Sequence, residues 1–225
     1  FLSLTAGAAL QAASPKKPNI VVILADDFGF GSLNCYGADR KLIRTPHLDR
    51  MAAEGRKLTS HYAAPVCSPS RAALMTGSYP KRSLPIPHVL FPNAAVGLHP
   101  DEHTVADVLR SSGYATAAIG KWHLSGPRPD LAEHPARLGF DHFAGGLLGS
   151  VENYYYHRRI VDGQDRGWST HYATSQQVDD ARDWIAGRGT AKPWFLWLAL
   201  NAPHDPYHKP PNALISPASQ ALDPA

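Results

Sequence analysis

The segment Asn19 to Leu24, NIVVIL, has no polar residue after its first and four β-branched residues among its six. Such a run shows no alternation of apolar and polar positions and is too short for a helix of its own, so it reads as a strand buried on both faces of a sheet. Tyr114 to Ile119 (YATAAI) and the run PWFLWLAL ending at Leu200 read as further strands. Between them lie helical patterns. TPHLDRMAAEG carries Thr45 as N-cap, Pro46 at the first helical position and Gly55 as stop, with Leu48, Met51 and Ala52 on one face. A second helix in HTVADVLRSSG stops at Gly113, and SQQVDDARDWIAGRG sets Val178, Ala181, Trp184 and Ile185 on one stripe. Lys57 to Tyr62 is a short strand candidate, and Ser70 to Met75 a helix candidate closed by Gly77. Strands alternating with helices predict an α/β fold, a largely parallel sheet flanked by helices on both faces.

At 225 residues, 44% hydrophobic and 18% charged, the chain is long enough for one large domain and is neither disordered nor fibrous. Its 22 basic and 19 acidic residues are scattered, without the block of like charge that marks a nucleic-acid arm, so the expected partner is small or carbohydrate-like and no nucleic acid. The first residues run apolar and small to Ala13 and then turn to Pro and Lys. Residues 1–16 therefore read as the remnant of a signal peptide and linker, with Ala6-Gly7-Ala8 or Ala12-Ala13 as cleavage sites; an Ala-rich leader is the plainer alternative. This predicts an exported protein, periplasmic or extracellular. No other apolar run is long enough for a membrane span.

In a parallel sheet of this kind the reactive groups gather outside the carboxyl ends of the strands. Asp26 and Asp27 follow the first strand, Lys121 and His123 another, and His204 follows FLWLAL. Lys121 and His123 are two apart, so an extended backbone aims both at one face. The stretch from Pro127 to Arg166 looks irregular and is expected to form loops over the site. Tyr154, Tyr155 and Tyr156 fall in it, fit for a sugar-binding mouth but equally for a core.

The stretch CSPSRAALMTG, Cys67 to Gly77, contains one of only two cysteines, the other being Cys35. Taken alone, Cys67 suits a disulfide with Cys35, a buried thiol, a metal ligand or a reactive centre. A thiolate there would draw on the helix N-terminus and on Arg71 one turn along, and the same two features would hold an anion such as sulfate.

CSPSRAALMTG resembles the signature of the type I sulfatases of the alkaline-phosphatase-like superfamily, in which the cysteine of Cys-x-Pro-x-Arg is oxidised to Cα-formylglycine. Cys67, Pro69 and Arg71 are intact, and Met75 stands where Leu is commoner. PNIVVILADDFGFGSLNCYG resembles the family's first strand and metal loop, GKWHLSG its Gly-Lys-Trp-His-Leu-Gly motif with Ser125 inserted, and NAPHDPY its Pro-His-x-Pro segment. The resemblance, from about Pro18 to Pro211, implies a sulfuric ester hydrolase whose hydrated formylglycine attacks the sulfur of a sulfate monoester, aryl or carbohydrate. It implies Asp26, Asp27 and modified Cys67 as ligands of Ca2+, with Mg2+ an alternative, and Arg71 and Lys121 as anion-holding groups. His123 would be the base that expels sulfate, and His204 a sulfate ligand and acid for the leaving alcohol. A formylglycine-generating enzyme is the implied maturation partner, reading the linear motif in the unfolded chain.

The family's downstream Asp and Asn ligands and second Lys have no match after Pro211; Asp223 sits in LDPA, which is no such motif. Residues 17–225 are thus expected to be the N-terminal portion of a sulfatase catalytic domain, incomplete at its C-terminus and weakly active or inactive by itself. Two rivals stand beside this: a phosphatase or phosphonate hydrolase of the same superfamily, and an inactive module that binds sulfated glycans.

Overall fold

The computed structural model describes residues 16–126 and 131–221. The leader read for residues 1–16 falls, apart from Lys16, outside them, as does Asp223. Six strands form one sheet: β1 (Ile20–Asp26), β2 (Ala115–Lys121), β3 (His142–Gly146), β4 (His157–Val161), β5 (Gln164–Ser169) and β6 (Trp194–Pro203), in the order β1-β6-β2-β3-β4-β5. The first four in that order are parallel, while β4 runs antiparallel to β3 and β5 antiparallel to β4. The helices are α1 (Pro46–Glu54), α2 (Cys67–Thr76), α3 (Pro80–Ser83), α4 (Val105–Ser111), α5 (His134–Arg137), α6 (Ala173–Ala186) and α7 (Pro217–Gln220).

Strand β6 lies between β1 and β2 and builds both halves of the core. Phe195, Trp197 and Ala199 join Ala118 of β2, Phe143 of β3, Ala72 and Met75 of α2 and Ala106 of α4 on one face. Leu196 and Leu198 join Ala117 and Ile119 of β2 and Ala181 and Trp184 of α6 on the other. Each large apolar side chain buried this way contributes about 1.5–3 kcal/mol. Helices thus cover both faces, as the alternating pattern predicts. Helix α4 starts on a capping box between Thr104 and Asp107, and α2 stops at Gly77, whose φ of 65° is the left-handed conformation glycine adopts without strain.

Three local expectations are corrected, and the shared face read for α1 lies open. β1 is buried on one face only: it is the sheet's edge among the described residues, with Ile20, Val22 and Leu24 packed inward and Val21 and Ile23 45% and 55% exposed. An unbroken apolar run does not distinguish one covered face from two. Lys57 to Tyr62 forms no strand and pairs with none of the strands among the described residues. In α1 the stripe of Leu48 and Met51 is exposed. Within the stretch taken for loops, β3, β4 and β5 extend the sheet, and β4 and β5 are joined by Asp162-Gly163, both with positive φ. An Asp-Gly pair between strands is the hairpin signal that the sequence carried there.

Candidate active site

Because β1, β6 and β2 are parallel, their carboxyl ends meet at one edge of the sheet. Asp26 ends β1, Lys121 ends β2, and His204 follows β6. Helix α2 begins beside them with Cys67, after an extended Val66. Ser70 Oγ, on its first turn, donates to the carbonyls of Ala64 and Val66 and so fixes the chain's entry into the helix.

Asp26, buried, is the centre of the cluster. Its Oδ2 accepts from Lys121 Nζ in a short contact, and its Oδ1 lies 3.5 Å from Arg71 Nη2. Arg71 Nη1 donates to the Lys121 carbonyl at 2.7 Å, tying α2 to the end of β2. Burial by itself would raise the Asp26 pKa, but the Arg71 and Lys121 cations outweigh it and hold the carboxyl below its ordinary value. Burial draws the Arg71 pKa down against the opposing pull of Asp26. Arg71 and Lys121 are each 1% exposed, so two buried cations face one buried carboxylate. The surplus positive charge, with Arg71 Nε and Nη2 donating no hydrogen bond, suits one anionic group.

Cys67 Sγ, a carboxylate oxygen of Asp26 and a ring nitrogen of His204 lie within 4.8 Å of one another. Burial pushes the Cys67 thiol pKa up, with Lys121 opposing, so the cysteine is not an activated thiolate despite its helix N-terminus. The disulfide is not formed either: Cys35 and Cys67 are both free. A cleft of about 310 Å³ opens here, lined by Asp26, Asp27, Val66, Cys67, Ser70 and Arg71 among others.

His204 Nδ1 is 2.9 Å from Asp205 Oδ1 and its Nε2 is 3.7 Å from Asp27 Oδ2. Asp27 itself is mostly exposed and has a φ of 60°, which turns the chain sharply at the end of β1. His123 stands apart. Its φ of 56° breaks the extended backbone, so the expectation that it shares a direction with Lys121 fails: Lys121 meets Asp26, while His123 Nε2 meets the Leu90 carbonyl at 2.7 Å. A carbonyl only accepts, so Nε2 carries the proton, and the lone pair on buried Nδ1 has no partner among the described residues. Ser68 Oγ accepts from Leu90 N at 3.1 Å, which links this histidine to the start of α2.

Burial lowers the His123 pKa to about 4 from an ordinary value of 6.5. The unfolded chain therefore binds a proton that the fold refuses, and stability rises with pH between those two values. The gain across that window is at most about 3 kcal/mol, since each pH unit within it is worth about 1.4 kcal/mol. Denaturant midpoints at pH 4.5, 5.5 and 7 are expected to climb, and His123→Gln to flatten the climb in part. His157, whose pKa burial also lowers, supplies the remainder. An unchanged slope in the variant would show that His123 takes up protons alike in the folded and the unfolded chain, against the lowered pKa.

The structure brings Asp26, Cys67, Arg71, Lys121 and His204 into one cluster, with Asp27 joined through His204 and His123 apart from it. The sequence brings Asp26, Lys121 and His204 to the ends of their strands. It gives no sign of Leu90, which contacts His123 across 33 positions, nor of Gly149, where a Cβ would come within 2.6 Å of the His123 ring. A divalent metal fits the donor chemistry in kind: Asp26 and Asp27 offer the carboxylate oxygens that hard cations prefer, and an oxygen in place of the Cys67 sulfur would suit one better than a thiol. No helix among the described residues is long and apolar enough to cross a membrane.

The sequence model of the family described as Sulfatase matches residues 18–216. A steryl-sulfatase of Mus musculus is 50% identical over 151 residues, covering 63% of this chain and 24% of that protein. An N-acetylgalactosamine-6-sulfatase of Canis lupus familiaris is 37% identical over 233 aligned positions, 92% of this chain and 44% of that protein. The chain thus spans less than half the length of either relative. A solved structure described as being in complex with its substrate D-glucosamine-2-N,6-O-disulfate superposes with a TM-score of 0.68 at 33% identity, covering 84% of this chain and 35% of that one.

Proposed function

The chain belongs to the sulfatase family, and from that premise we propose that its site hydrolyses sulfate monoesters of a small molecule or a sugar. The observation that carries the reading is the buried Arg71–Asp26–Lys121 cluster set against Cys67 at the start of α2. It offers an anion two fixed cations in a water-poor place, and charge spread over the non-bridging oxygens of a sulfate is what such a site stabilises.

A formylglycine made from Cys67 supplies an oxygen nucleophile when hydrated, and a divalent cation, calcium in our reading, supplies further positive charge where Asp26 and Asp27 would hold it. Arg71 and Lys121 bind the sulfate and orient its sulfur toward position 67. His204 donates the proton that the ester oxygen takes up as its bond to sulfur breaks, freeing the alcohol. His123, with an unpartnered lone pair on Nδ1, accepts the proton whose removal releases sulfate. A formylglycine-generating enzyme would install the aldehyde in the unfolded chain, and the apolar start of the chain supports export to a periplasmic or extracellular place.

The test is direct. The chain is secreted together with a formylglycine-generating enzyme, the peptide holding Cys67 is weighed, and the full-length protein is assayed on aryl sulfate with and without a chelator. We expect an aldehyde in place of the thiol, turnover lost on chelation and restored by calcium. An unmodified thiol, where a control sulfatase is converted, would leave a module that binds sulfated glycans without cleaving them.

A further inference from the structure

We infer that Tyr154 and Asp205 are positioning residues for His204, together fixing the direction in which its Nε2 meets the cleft. The inference rests on the reading of His204 as the acid for the leaving alcohol. His204 stands just past the end of β6 in a stretch without helix or strand that runs to Pro211, so no ladder of backbone bonds holds it.

Tyrosines do so instead. Tyr154, 1% exposed, donates its hydroxyl to the His204 carbonyl at 2.8 Å. The same ring stacks on His208, with centroids 3.7 Å apart and planes 16° apart. The Tyr172 hydroxyl meets His208 Nε2 at 2.8 Å. Because His208 Nδ1 lies 3.3 Å from the Pro206 carbonyl, which can only accept, Nε2 is the acceptor from Tyr172. Tyr155 closes the row by donating to the Lys209 carbonyl at 2.7 Å. The segment from His204 to Lys209 is therefore pinned at its carbonyls and at the His208 ring.

Asp205 fixes the other degree of freedom, the rotation of the His204 ring. Nδ1 lies 2.9 Å from Asp205 Oδ1 and 2.8 Å from the Asp205 carbonyl. The carbonyl again only accepts, so Nδ1 carries a proton, and Nε2, which faces Asp27, carries a second one when His204 acts as the acid and gives that proton up. Burial also pushes the Tyr154 pKa up, which keeps its hydroxyl a donor. Tyr154 meets His204 at its backbone carbonyl and Asp205 meets it at Nδ1, so the effect of each on turnover is read through His204.

The experiment compares phenyl sulfate, whose leaving group needs a proton, with 4-nitrophenyl sulfate, whose leaving group does not, on the full-length, formylglycine-bearing protein. Tyr154→Phe removes one hydroxyl and keeps the stacked ring. We expect kcat/KM on phenyl sulfate to fall about tenfold and on 4-nitrophenyl sulfate less than about twofold, with KM unchanged. In a His204→Ala background the same substitution is expected to do nothing further. Asp205→Ala, which removes the side-chain acceptor at a position 64% exposed and so safe for folding, should repeat the pattern. Equal losses on both substrates, or the same factor in the His204→Ala background, would overturn the inference. A wild-type protein that hydrolyses neither these aryl sulfates nor a sulfated sugar would instead overturn the sulfatase reading on which it rests.

Discussion

Replacing Asp26 with Asn is expected to cost the fold about 3–5 kcal/mol, the range for removing one partner of a buried ion pair. The reason is the company that Asp26 keeps. Arg71 and Lys121 are both 1% exposed, and Asp26 is the carboxylate in contact with each. An amide accepts a hydrogen bond but cancels no charge, so the variant leaves two cations facing each other out of water. Asp27→Asn makes the contrast, since its side chain is 62% exposed and its change in stability should stay within about 0.5 kcal/mol. Both variants should lose turnover and metal affinity, so urea midpoints, not activity, separate the two roles. Adding Lys121→Met to Asp26→Asn should recover part of the stability by removing one stranded charge, giving a double-mutant cycle that departs from additivity. An Asp26→Asn protein as stable as the wild type would mean that the cations find another partner and that the cluster's charge surplus is smaller than the contacts indicate.

Much of the fold was legible because its central strands are apolar without interruption. Pro193 to Leu200 reads as a buried strand and is one, since both faces of β6 are covered. The same pattern misled at β1, where the outward residues are as apolar as the inward ones and only the pairing of the strand distinguishes them. β3 went unseen because HFAGG mixes a histidine with glycines that a strand normally avoids. Those glycines have a steric use: a Cβ on Gly145 would lie 1.9 Å from the Gly120 carbonyl oxygen of the neighbouring strand. The site was legible to the extent that topology made it so. Asp26, Lys121 and His204 sit at the ends of parallel strands, and any such sheet brings those ends together. Leu90, Tyr154 and Gly149 are different, since each acts through a contact across tens of residues that no local pattern announces.

Cys67→Ala is expected to abolish sulfate ester hydrolysis by the full-length protein, a loss of about 10⁴-fold or more, because it removes the proposed nucleophile and leaves only binding and electrostatics. Binding should persist. Arg71 and Lys121 keep their contacts with Asp26, and alanine is a good helix former at the start of α2. The thiol is only half-buried and makes no disulfide, so stability should change by less than about 1 kcal/mol. The variant should therefore hold a sulfate ester by calorimetry with an affinity near that of the wild type while turning none of it over. Cys67→Ala removes a thiolate and a formylglycine alike, and thiol alkylation decides between those two chemistries. An ordinary thiolate nucleophile would be silenced by alkylation in a protein secreted without the formylglycine-generating enzyme, and that protein would be active before alkylation. A formylglycine precursor gives the reverse: inactive without the enzyme, active and resistant to thiol reagents with it. The raised thiol pKa favours the second outcome, since a neutral, half-buried sulfur is a poor nucleophile.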